Sequence, residues 1–147
     1  MLPTMGIMGI KRLDNVAIVV ESLDEAVGFF EKLGMSLDGR TMVQGDFADR
    51  TVGLSGIRSE IAVLKTPYGH SRVELTQYLH PEPIATPPPA PNQIGMHRLM
   101  FAVDDIEETI AHIGAEPLDG IANYEDVFLL CYLRGPSGII VALAQEL

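Results

Sequence analysis

A chain of 147 residues, 47% of them hydrophobic and 20% charged, has the length of one domain with a sizeable core. Its 20 acidic against 10 basic residues give a formal net charge of −10, which disfavours nucleic acid, and no basic stripe runs along it. No apolar run approaches the ~20 residues needed to cross a bilayer. The single Cys131 excludes an internal disulfide framework and a Cys-rich zinc site.

The chain opens with MLPTMGIMGIKR, in which the charges follow the apolar run instead of preceding it. With no small-residue cleavage site, it reads as a lead-in and not a secretory signal, so a cytoplasmic location is expected. A strand follows, NVAIVV over 15–20. Ser22 and Glu25 then form a capping-box pattern ahead of Ala26, Phe29, Phe30 and Leu33, and Gly34 stands at the helix stop. Strand-like segments are expected at 36–43 and 59–65, and between them 44–56, with Asp46, Asp49 and Arg50, is expected to be a loop over a pocket. A PYG turn leads to the strand HSRVELTQY.

Residues 81–94 are rich in proline, which excludes helix and central strand. Extended at ~3.1 Å per residue, the Pro81–Pro91 stretch of this linker spans on the order of 30 Å, enough for pairing of its two flanks within one chain or exchange between chains. Beyond it, GMHRLMFAV over 95–103 is a strand. Asp105 and Glu108 then cap a helix carrying Ile110 and Ile113, with Gly114 at its end. Strands are expected at 116–121 and 127–134, then a PSG turn and IIVALAQE.

The two halves share one plan. NVAIVVESLDEAV aligns without a gap on RLMFAVDDIEETI, and VELTQ on VALAQ. Strand, helix and three strands are therefore written twice. The expected fold is α+β: duplicated βαβββ modules, 10–80 and 95–147, joined by the linker 81–94 into one domain. The modules form a curved mixed sheet around a cavity, with helices on the outer face.

Alternation assigns the faces. Val16, Ile18, Val20, Val73 and Leu75, with Leu99, Phe101, Val103, Val141 and Leu143, are bulky and suit the helix-covered face. Asn15, Ala17 and Val19, then Arg72, Glu74, Thr76 and Tyr78, lie on the opposite face. So do Arg98, Met100, Ala102, Ile140, Ala142 and Ala144. Small residues leave room there, and the few polar groups would orient a ligand. His97 and Arg98 are adjacent, so only one can face inward; the register chooses Arg98 and leaves His97 as a rim or packing residue. Tyr68, His70 and His80 read as rim residues, His112 as lying outside the cavity, and Cys131 as a buried strand thiol.

LDNVAIVVESLDEAVGFFEKLGM, PYGHSRVELTQ, HRLMFAVDDIEETI and RGPSGIIVALAQ together resemble the vicinal oxygen chelate superfamily, which includes glyoxalase I, extradiol dioxygenases and bleomycin resistance proteins. The resemblance covers about residues 10 to 146 and implies the duplicated fold. It also implies, by analogy alone, a homodimer. In metal-dependent members four inner-face positions bind the ion, and here they fall on Asn15, Glu74, Arg98 and Ala142. Only Glu74 is a usual ligand, and a guanidinium repels a cation. No metal and no cofactor are therefore expected; Glu74 and Arg98 are expected to approach each other where the metal would sit, with Asn15 hydrogen-bonded beside them.

The resulting expectation is a metal-free protein similar to glyoxalase and bleomycin resistance proteins, binding a small-molecule ligand through Asn15, Arg72, Thr76, Tyr78, Met100 and Ala142. The alternative is an enzyme of that superfamily, a lyase, isomerase or dioxygenase. In it Glu74 is the general base or a metal ligand and Arg98 anchors an anionic oxygen. No nucleic acid and no membrane enter either reading.

Overall fold

The computed structural model describes residues 9–147; most of the apolar lead-in, residues 1–8, lies outside the described residues. The chain runs β1 (Val16–Val19), α1 (Leu23–Leu33), β2 (Ser36–Gln44), α2 (Asp46–Val52), β3 (Arg58–Lys65) and β4 (Arg72–His80). It continues β5 (Arg98–Ala102), α3 (Ile106–Ile113), β6 (Ala122–Tyr124), β7 (Phe128–Arg134) and β8 (Ile140–Glu146). Two four-stranded mixed sheets result, ordered β1-β4-β3-β2 and β5-β8-β7-β6. In each, the first strand runs parallel to the last, and the remaining pairs are antiparallel. The fold is thus α+β, with two βαβββ-like modules.

Both main helices start and stop where their caps dictate. Ser22 accepts a hydrogen bond from the Glu25 N–H at α1, and Asp105 accepts one from the Glu108 N–H at α3. Each cap satisfies one of the N–H groups that a helix start leaves unpaired, worth about 1 kcal/mol. Gly34 and Gly114 close the helices in the left-handed region, with φ of 118° and 68°.

A second device recurs. The Leu23 N–H donates to Gln77 Oε1 at 2.7 Å, and the Ile106 N–H donates to Gln145 Oε1 at 2.9 Å. Thus the last strand of each module reaches under its own helix and satisfies that helix's first N–H. VELTQ and VALAQ end on this glutamine because both helices present the same orphan donor.

The modules meet through their helices and the edge strands β1 and β5. Phe30, Leu23, Leu64 and Leu75 are fully buried in the first module, and Ile106, Leu133, Val141 and Leu143 in the second. Phe29, Leu33, Phe101 and Ile139 pack against both cores. Phe30 and Phe101 stand 6.2 Å apart at the seam, α1 packs on α3, and the Glu21 N–H donates to Ser137 Oγ. The two modules therefore pair within one chain here.

Three elements depart from the sequence expectation. The segment 44–56 is not a plain loop: it holds α2, with Ala48 buried, and the Asp49 carboxylate accepts from the N–H groups of Gly56 and Ile57. The strand expected at 116–121 is displaced to β6, leaving Pro117 with an isolated bridge to Leu133, since proline cannot donate to a ladder. The linker is not free. Arg134 Nη1 donates to the carbonyls of Pro89 at 2.6 Å and Gly138 at 3.0 Å, which fastens the prolines to the second module.

Candidate functional site

The register sets the site. Arg98 and Arg134 both pair with Ile140, so the three form one row across β5, β8 and β7. Met100, Ala142 and Tyr132 form the next row. In the first module Ala17, Glu74 and Val63 form a row, followed by Val19, Thr76 and Ile61. Val73 and Leu75 point to the helix, whereas Arg98, Met100 and Ala102 are exposed on the other side.

Tyr132 organises the polar end. Arg98 Nε donates to its hydroxyl at 3.1 Å, with the guanidinium carbon 5.6 Å from the ring centre. His97 Nε2 lies 3.4 Å from the same hydroxyl, and its ring stands edge-on to the Tyr132 ring at 5.4 Å. The expectation that only one of His97 and Arg98 faces inward is therefore corrected, while His97 packs on Tyr132 at the end of the pocket as a rim or packing residue does. Strand β5 starts only at Arg98, so alternation does not bind His97, and both side chains converge on Tyr132.

A pocket of about 240 Å³ lies between the unpaired edges of β1 and β5. Ala17, Val19, Ile140 and Pro89 give it apolar walls, and Arg98 and His97 its polar end. A larger cleft of about 1190 Å³ opens towards the helix ends, and Asn15, Arg72, Met100, Tyr68, His70 and His112 border it. His112 is thus not outside the cleft, because the opening runs between the modules.

The expected site residues separate accordingly. Asn15, Arg72 and Met100 share the larger cleft, and Arg98 lines the smaller pocket. Glu74, Thr76, Tyr78 and Ala142 border neither. Ala142 is buried between its register neighbours Met100 and Tyr132. Arg72 faces Asp38 at 3.7 Å. Glu74 and Arg98 form no ion pair with each other among the described residues: they sit on different sheets, and Tyr132 holds Arg98 on its own. Sequence reasoning missed Tyr132 and Pro89. Alternation along FLLCYLR places Tyr132 on the inner face; nothing in the sequence docks Pro89.

A model of the glyoxalase/bleomycin resistance protein/dioxygenase superfamily matches residues 14–122. The chain belongs to that superfamily. A glyoxalase family protein from Bacillus cereus is 46% identical, over 97% of this chain and 99% of its own, with a TM-score of 0.91. A glyoxalase family protein from Enterococcus faecalis is 22% identical, over 91% and 97%, with a TM-score of 0.63. A fosfomycin resistance protein from Listeria monocytogenes, solved with Mn(II) and sulfate, is 12% identical over 95% of each chain, with a TM-score of 0.59. The last two share the fold. No curated protein matches the chain.

Membership of the superfamily raises the question of a divalent ion, and the donor set answers it poorly. The four corresponding positions offer an amide, a carboxylate, a guanidinium and a methyl group, from Asn15, Glu74, Arg98 and Ala142. An open metal site takes about three protein ligands. A guanidinium stays protonated and repels the ion. Among the described residues no group of three His, Cys, Asp or Glu side chains is placed to hold a metal. The residues present do not fit the ion. Among the described residues, no helix is long and apolar enough to cross a membrane.

Proposed function

We propose that this glyoxalase-family protein binds a small organic molecule without a divalent metal, in the pocket between β1 and β5. The observation that carries the reading is Arg98, tied to Tyr132 at 3.1 Å, in a position where metal-dependent relatives place a ligand. Supporting it are the apolar walls from Ala17, Val19 and Ile140, suited to a ligand's carbon body. The fold is shared with the Listeria protein solved with Mn(II), so the reading rests on this chain's donor set and not on its architecture.

The unit proposed is the single domain made of modules 10–80 and 95–147 with the linker 81–94, acting as a cytoplasmic homodimer. Light scattering of the purified protein tests the dimer.

Metal analysis by plasma mass spectrometry, on protein expressed with added manganese, zinc and nickel, tests the central claim. The expected content is far below one ion per chain. A stoichiometric ion that survives dialysis overturns the reading.

A further inference from the structure

We infer that the pocket between β1 and β5 takes a small organic acid, with its ionised head on Arg98 and its carbon body against Ala17, Val19, Ile140 and Pro89. The inference deepens the reading above and rests on it, since a bound cation would hold the head instead.

The electrostatics point to an anion. In a chain of net charge −10, six of the ten Lys and Arg side chains belong to no ion pair among the described residues, and of these six only Arg98 and Arg134 are held in place by side-chain hydrogen bonds. Residues 1–8 contain no Asp or Glu to supply a carboxylate partner. Arg98 gives Nε to Tyr132, which fixes the plane of the guanidinium. Its two terminal nitrogens have no hydrogen-bond partner among the described residues. A planar fork held from one side presents two parallel donors, the geometry that a carboxylate accepts in bidentate fashion. Arg134 lies two strands away in the same row, about 9–10 Å between backbones, and adds a second positive charge to that face.

The pocket limits the body. Its volume is about 240 Å³. That suits a short chain or a single ring as the part of the ligand held inside. Pro89 forms one wall, and Arg134 holds the Pro89 carbonyl at 2.6 Å, so Arg134 is a positioning residue for that wall.

Isothermal titration with hexanoate, hexanol and acetate tests the assignment, on full-length protein whose metal content is measured in the same preparation. Hexanoate is expected to bind about tenfold or more tighter than either control, because only it combines head and body. Arg98→Met should bring hexanoate to the level of hexanol, and Arg98→Lys should recover part of the loss. Glu74→Gln, which removes the carboxylate beside Ala17 on the register, should strengthen hexanoate and leave hexanol unchanged. Circular dichroism confirms that each variant is folded, and Arg98→Lys carries the test if Arg98→Met is not. Equal affinity for hexanoate and hexanol, or no binding of hexanoate, overturns the assignment. A stoichiometric metal ion overturns the metal-free reading, whatever the titration gives.

Discussion

The side-chain oxygen of Gln77 accepts a hydrogen bond from the backbone N–H of Leu23 at 2.7 Å, and Leu23 is fully buried. This bond ties the end of β4 to the start of α1, and Gln145 with Ile106 repeats it in the second module. Replacing Gln77 by Met keeps the length and removes the acceptor, leaving a buried N–H unpaired. The expected loss is about 1–3 kcal/mol in urea unfolding, with a similar loss for Gln145→Met. If either variant unfolds at the wild-type midpoint, the bond contributes nothing.

Acid should weaken the protein partly through one exposed cluster. Arg40 bridges Asp24 of α1 and Glu60 of β3, both at 2.8 Å. The hydrogen bond from Arg40 holds the Glu60 carboxyl below the usual glutamate range, against partial desolvation. A carboxylate with a lowered folded pKa stabilises the fold above its ordinary pKa, and that contribution is lost as pH falls through the folded value. Glu60→Gln should therefore destabilise at neutral pH and match the wild type in strong acid. Unfolding curves taken from pH 7 to pH 2 report the convergence, and a gap that stays constant with pH contradicts it.

Cys131 should be inert. Burial pushes its thiol pKa up, only partly offset by a backbone hydrogen bond with Leu143, and the thiolate is the reactive species. Ellman's reagent at pH 8 is expected to label the folded chain orders of magnitude more slowly than the chain in guanidinium. Fast labelling of the native protein would show that β7 opens readily.

Tyr132→Phe separates the hydroxyl from the ring. It removes the acceptor that fixes Arg98 and keeps the aromatic face under the guanidinium. Hexanoate affinity should fall by about three- to tenfold while hexanol affinity holds. A variant with unchanged hexanoate binding would mean that Arg98 needs no orientation.

The duplication was legible because each module repeats its caps and its alternation. Ser22 with Gly34 and Asp105 with Gly114 bounded the two helices closely. Long-range partners were less legible. Glu74 and Arg98 share a face in the alternation, but no ladder bonds join β1 to β5, so register says nothing about their separation. His97 was misplaced because periodicity applies only inside a strand. The α2 turn depends on Asp49 reaching Gly56 and Ile57, a pairing that residue types alone do not specify.

Gly138 has a left-handed φ of 78°, and a Cβ there would come within 2.9 Å of Pro88. That proximity divides the connection between the modules into two parts of different use. At Pro88 and Pro89 the chain is docked on the turn of the second module by Gly138 and Arg134. Residues 82–87 are exposed and form no hydrogen bond among the described residues. Insertions, or a protease cut, at 82–86 should leave the pocket intact and give two fragments that remain associated, whereas Gly138→Ala should disturb the pocket with the chain uncut.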